Sequence, residues 1–232
     1  MGRISVIIPV RNEAILIASV LLALDGWRQL GHEIIVVDGE SSDNTLAIAK
    51  PLCDQLVQTS AGRARQMNAG AKIACGDVFL FLHADTKLPK ELESEIAALS
   101  ERGDAFWGRC DVLLDGKESI YRVVEWLMNW RSRLTGIATG DQAMFVSRDL
   151  FDQCGGFPNI ALMEDIALST SLRQIVTPKC LSLRVRTSAR RWQRNGVIRT
   201  ILTMWGLRAA FFVGVSPQRL NTIYQRGSAD DR

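Results

Sequence analysis

Three stretches of the chain, ISVIIPV (residues 4–10), EIIVVD (33–38) and DVFLFLH (77–83), are rich in β-branched and aromatic residues and almost free of polar interruption. A strand with one wet face alternates apolar and polar side chains. A run that does not alternate needs cover on both faces, as inside a parallel sheet flanked by helices. The segments between the runs have helical spacing: AILIASVLLALDGW (14–27), DNTLAIAKPL (43–52), ARQMNAGAKIAC (64–75) and PKELESEIAALSERG (89–103). The last starts on a proline and stops on a glycine, and Asp43 reads as an N-cap for the second. With DQLVQT (54–59) as a further strand, the alternation predicts an α/β fold with a mostly parallel central sheet and helices on both faces.

Beyond residue 104 the pattern loosens. AFWGRCDVLL (105–114) and DQAMFVS (141–147) read as strands around the helix SIYRVVEWLMNWRSRL (119–134). Trp126 and Trp130 share a face of that helix and read as core packing. The final third reads as mostly helical. With no repeat, low-complexity tract or linker, residues 1–232 form one domain whose halves meet at about residue 104.

Composition narrows the function classes. A net charge of +3 gives no argument for nucleic acid, although Arg184, Arg186, Arg190, Arg191, Arg194 and Arg199 crowd one stretch that can face phosphates or an anionic membrane surface. Five cysteines, none in a C-x-x-C pair, fit thiols in a reducing compartment, and two histidines are too few for a His-rich zinc site. The N-terminus has no signal-peptide pattern, so a cytoplasmic location is expected. The apolar run ILTMWGLRAAFFVGV (201–215) is interrupted by Arg208 and is shorter than the roughly 20 residues of a spanning helix. It fits a buried or an interfacial helix, the latter peripheral at the inner face of a membrane.

In an open parallel sheet, ligands bind at the carboxyl ends of the strands. Three ends are conspicuous: PVRNE (9–13) with Pro9, Arg11, Asn12 and Glu13; DGESSD (38–43) with Asp38, Gly39 and Asp43; and HAD (83–85). Each alone is ordinary turn or cap chemistry. Together, SVIIPVRNE, IIVVDGESSDNT and ACGDVFLFLHADT, followed in order by GGFP and MEDIALS, resemble the family 2 glycosyltransferases of the GT-A fold. The resemblance covers about residues 4–170. It implies a nucleotide-binding first half, an acceptor-side second half, a nucleotide-sugar donor (UDP-linked above all), an acceptor hydroxyl, and a divalent metal, Mg²⁺ or Mn²⁺.

Carried over residue by residue, the resemblance makes Asp38 the reader of the nucleoside, with Gly39 where the family often has a second acid. Pro9, Arg11 and Glu13 fall on the donor side. Asp85 becomes the metal ligand beside the donor diphosphate, and His83 replaces the first acid of the family's Asp-x-Asp. Arg63 and Arg65, at the start of the helix after SAG, are the phosphate-side arginines, since Met67 stands where an arginine is usual. Asp165 of MEDIALS is the implied catalytic base, with Glu164 orienting acceptor or base. SARRW (188–192) resembles an Arg-Trp element near diphosphate and acceptor, which singles out Arg191 and Trp192. One base and no second nucleophile imply inversion.

The C-terminal helix is expected to pack on protein through Ile198, Ile201, Leu202, Trp205 and Ala209. A dimer surface or a membrane contact would use the same stripe.

Overall fold

The computed structural model describes residues 2–229, apart from the side chains of residue 191 and of residues 226–229. The order is β1 (Ile4–Val10), α1 (Ile17–Ala23), α2 (Asp25–Gln29), β2 (Glu33–Asp38), α3 (Thr45–Ala49), β3 (Gln55–Gln58), α4 (Arg63–Ile73), β4 (Val78–Phe81), β5 (Thr86–Lys87), α5 (Leu92–Ser100) and β6 (Trp107–Asp115). There follow α6 (Ser119–Thr135), β7 (Phe145–Ser147), α7 (Arg148–Gln153), α8 (Glu164–Ile175), β8 (Lys179–Ser188), α9 (Arg190–Asn195), α10 (Val197–Phe212) and α11 (Pro217–Ala229).

The unbroken apolar strands are explained by what lies on each side. Ile4, Val6 and Ile8 of β1, Ile34 and Val36 of β2, and Val78 and Leu80 of β4 enter one core with Leu21, Trp27, Leu92 and Ile96. Their neighbours Ile7, Ile35, Val37, Phe79 and Phe81 enter a second core with Met67, Ala71, Phe151, Leu168 and Leu172. A period of two therefore sends successive side chains into two dry layers, and the charged residues of β2, Glu33 and Asp38, stand at its two ends.

The eight strands form one sheet in the order β3-β2-β1-β4-β7-β6-β8-β5. β1, β2, β3 and β4 pair in parallel, as do β6 and β8, whereas β7 pairs antiparallel with β4 and β6, and β5 antiparallel with β8. The fold is α/β as expected, but the sheet is mixed. A flat sheet would separate β4 from β5 by four strand spacings, about 19 Å. The connection between them is a tight turn in which Thr86 N donates to His83 O at 3.1 Å. Only a curled sheet brings both strands within that reach. The residues HAD are this bridge.

Several expected elements differ. Residues 14–27 do not make one helix; the chain breaks at Leu24, between α1 and α2. Residues 141–147 are a strand only from Phe145, after a short 3₁₀ turn at Gly140–Gln142. The C-terminal third contains the ten-residue strand β8, hidden in the sequence by its arginines, because most of its side chains are at least partly wet. Trp126 and Trp130 are not core. They stack on each other (centroids 6.0 Å apart, planes at 12°) and are 61% and 53% exposed. The buried face of α6 is instead Tyr121, Val124 and Glu125. α10 does pack on protein, through Thr200, Ile201, Met204, Leu207 and Phe211; of the expected stripe only Ile201 takes part, and Ile198, Leu202, Trp205 and Ala209 are exposed. No helix among the described residues is long and apolar enough to cross a membrane.

Candidate active site

The ends of β1 and β2 are latched to each other by polar side chains. Asn12, at φ 55°, accepts a hydrogen bond from Ser42 N (2.8 Å) and donates its own N–H to Ser41 Oγ (2.9 Å). Glu13 N donates to Thr45 Oγ1 at 2.8 Å and Ala14 N to Asp43 Oδ2 at 3.2 Å. Asp43 is therefore a brace between two loops, and the Thr45 hydroxyl holds its carboxyl below the usual range. The α3 cap itself, Asn44, makes no side-chain bond.

Asp38 is fully buried where β2 ends. Its Oδ2 accepts from Ser41 N at 3.0 Å, while its enclosed Oδ1 has no hydrogen-bond partner. Gly39 follows because nothing larger fits: a Cβ there would lie 2.8 Å from the Gln66 side-chain amide. Gln66 cannot retreat, since Nε2 donates to Val10 O and Val37 O, both at 2.8 Å. The amide thus joins β1, β2 and α4 beneath the strand ends.

At the end of β4, His83 lies against the backbone of Gly140, where a Cβ would come within 2.5 Å of Nε2. Gly140 N donates in turn to Asp165 Oδ2 at 2.8 Å, and Asp165 Oδ1 accepts from Ile166 N at 2.8 Å. The Asp165 carboxylate is held through both oxygens, and the bridge from β4, the 139–141 turn and the start of α8 become one unit. Asp85 is half-buried and accepts one long hydrogen bond from Thr86 Oγ1 (3.3 Å).

These groups open onto a cavity of about 540 Å³, lined on its polar side by Arg63, His83, Asp85, Asp141, Glu164 and Asp165. Burial raises the Glu164 carboxyl to about 7, helped by neighbouring Asp165 and opposed by Arg63. Burial likewise raises Asp165, opposed by its two backbone hydrogen bonds. A cavity that holds one carboxylate oriented by fixed donors beside a second whose carboxyl is raised toward neutral pH by burial is suited to proton transfer.

Other proteins share most of the chain with it. The sequence profile of glycosyl transferase family 2 matches residues 5–158. The chain belongs to that family. An uncharacterized glycosyltransferase of Rickettsia felis is 37% identical over 97 residues, 41% of this chain and 33% of that protein. A dolichol-phosphate mannosyltransferase of Pyrococcus furiosus is 27% identical over 182 residues, 75% of this chain and 49% of its own length. The chain therefore spans between about a third and a half of these relatives. Among solved structures, the mannosyltransferase PcManGT of Pyrobaculum calidifontis, in complex with GDP-Man and Mn²⁺, superposes with a TM-score of 0.63 at 21% identity. The superposition covers 98% of this chain and 69% of that one. It is a likeness of fold, and it identifies the curled mixed sheet as a GT-A glycosyltransferase architecture.

Of the residues that the family resemblance singled out, Arg63, His83, Asp85, Glu164, Asp165 and Trp192 line one cavity. Glu13 lies at its edge, with Oε2 3.9 Å from Arg190 Nη2 and close enough to Asp85 for the two charges to interact; burial raises its carboxyl most. Pro9, Arg11, Asp38, Gly39 and Arg65 are not in the cavity wall; the first four occupy the ends of β1 and β2, and Arg65 the first turn of α4. Arg65 is occupied by Ser60 Oγ (2.7 Å) and Asn159 Oδ1 (3.2 Å). The side chain of Arg191 lies outside the described residues. Its neighbour Arg190, which the motif did not single out, is the arginine that reaches Glu13. Arg131 and Arg208 also line the cavity, although each sits in a helix whose apolar pattern reads as packing. A charge interrupting such a pattern was the available signal.

Proposed function

We propose that this family 2 protein transfers a sugar from a nucleotide-sugar donor, UDP-linked as the resemblance implies, to an acceptor hydroxyl by single displacement with inversion. The observation that carries this reading is the Asp165 carboxylate, oriented by Gly140 N and Ile166 N in the same cavity as Asp85. In the proposed step the acceptor oxygen bonds to the anomeric carbon as the bond from that carbon to the diphosphate oxygen breaks. The hydroxyl proton goes to Asp165, and the bonding pair leaves with the nucleoside diphosphate. Glu164, largely buried and with its carboxyl raised by that burial, orients the acceptor or Asp165 through a hydrogen bond.

On the donor side, Asp38 Oδ1 suits a nucleoside N–H or ribose hydroxyl, because a buried carboxylate oxygen without a donor carries an uncompensated desolvation cost. Arg63, which lines the cavity, suits the donor phosphates. Among the described residues no three His, Cys, Asp or Glu side chains cluster as a metal cage. That suits Mg²⁺ or Mn²⁺, hard ions that take one or two carboxylates and complete their shell with phosphate oxygens and water. Asp85, with its single long hydrogen bond, would hold such an ion, which supplies positive charge against the departing diphosphate.

A thermal-shift panel of UDP- and GDP-sugars, with and without Mn²⁺, tests the donor. A ligand at 100 Kd raises stability by about 2.7 kcal/mol. No stabilisation by any nucleotide sugar would reject the reading. NMR of the product tests the stereochemistry, and retention would exclude single displacement.

A further inference from the structure

The cavity has a second polar region that the donor and the base do not use. Arg131 on α6 and Arg208 on α10 both line it. Arg131 donates from Nη1 to Ile137 O at 3.3 Å, but its Nε and Nη2 are enclosed without a partner, and so is Nε of Arg208. Burial lowers Arg131 to about 10, and the positive charge of Arg208 is the next largest cause, ahead of the opposing Asp141 and Asp165. Two guanidiniums thus share this part of the cavity, with enclosed N–H groups that have no acceptor among the described residues. Asp141 and Asp165 offset part of the charge, but the enclosed N–H groups carry a desolvation cost that an anionic ligand would offset.

Apart from these two arginines and Thr200, what α6 and α10 contribute to the wall of the cavity is apolar. Leu127, Met128 and Trp130 of α6 meet Ile201, Met204 and Trp205 of α10 across it. Trp130 and Trp205 are 53% and 57% exposed, so the apolar wall continues outward onto the surface. A polyhydroxylated acceptor would find few hydrogen-bond partners on these six side chains, whereas an apolar chain or ring would lose water to them.

We propose that the acceptor is an amphiphile whose phosphate or carboxylate group sits on Arg131 and Arg208, whose apolar body lies between α6 and α10, and whose hydroxyl reaches Asp165. This rests on the transferase reading for the role of Asp165, but the anion subsite stands on its own geometry. Arginine suits it through its planar fork of donors.

Arg208 is the residue to change, since it makes no hydrogen bond within the described protein and its loss leaves no backbone acceptor stranded. Binding of three probes is measured by tryptophan fluorescence and calorimetry, each below its micellar concentration: decyl phosphate, inorganic phosphate and the neutral decyl maltoside. Decyl phosphate is expected to bind at least about tenfold more tightly than either of the others, as a charge-assisted hydrogen bond implies. Arg208→Gln should remove about tenfold of that affinity while leaving decyl maltoside unchanged, and Arg208→Lys should restore part of it. Equal affinity for the neutral amphiphile, or an unaltered Arg208→Gln protein, would overturn the anion subsite. Inorganic phosphate binding as tightly as decyl phosphate would overturn the apolar half. Displacement of decyl phosphate by UDP and Mn²⁺ would put the anion in the donor site and overturn the assignment to the acceptor. If no nucleotide sugar binds while decyl phosphate still does, the donor reading fails and the anion subsite survives.

Discussion

Asp165 has both oxygens committed to backbone N–H groups, so its position is set by the 139–141 turn and the first turn of α8 and not by substrate. Asp165→Asn keeps the shape and removes the proton acceptor. Transfer is expected to fall about 10²–10⁴-fold, with nucleotide affinity unchanged, measured by product formation and by UDP titration. Asp85→Ala should abolish the enhancement of UDP binding by Mn²⁺ and leave the melting temperature of the free protein nearly unchanged, since among the described residues Asp85 makes only one long hydrogen bond. Glu164 gives a pH prediction. Its folded-state carboxyl titrates at about 7, above the ordinary value of 4.5, so between those pH values the folded chain binds more protons than the unfolded one. Stability should therefore fall as pH rises through that window. Glu164→Gln removes the cost of ionising the buried group. Its melting temperature, compared with wild type from pH 5 to 8.5, should gain by several degrees above pH 7 and little near pH 5.

At the scale of elements, the junction of β1, β2 and α4 depends on one pair of residues. Gly39→Ala places a Cβ 2.8 Å from a glutamine amide anchored to two strand carbonyls, so overpacking should cost about 1–3 kcal/mol. In a Gln66→Ala background the same change should cost much less, and urea denaturation of the four proteins measures the coupling. Additive costs would show that Gln66 does not hold that space. The sequence displayed the strands here and their polar ends, because a strand buried on both faces leaves an unbroken apolar run. It did not display why Gly39 stands after Asp38. That reason lies 27 positions along the chain, in a side chain that reaches Gly39 only once α4 has docked. Trp126 and Trp130 show the opposite failure. Their spacing puts them on one face, but spacing does not say whether that face meets the core, and here Tyr121 and Val124 do.

The whole molecule brings the ends of a long sequence to one place. The curl of the sheet sets β5 beside β8, and α9 then carries Arg190 to within 3.9 Å of Glu13, 177 positions earlier. A pair this exposed contributes little, about 0–1 kcal/mol, so it can open and re-form as ligand enters. Limited proteolysis between residues 186 and 195 is therefore expected to slow when UDP and Mn²⁺ are present. Cleavage indifferent to both would place α9 outside the donor site. By itself the sequence determined the α/β class, the strands that run through two dry layers, and the order of acidic strand ends that marks the family. Each is written in local periodicity or in a short motif. Only the tertiary structure decided that β8 is a strand, that Arg190 meets Glu13, and that Arg131 and Arg208 share a cavity with Asp165. These depend on how far the sheet curls and on which helix faces dock, and both are set by contacts between residues remote in the chain.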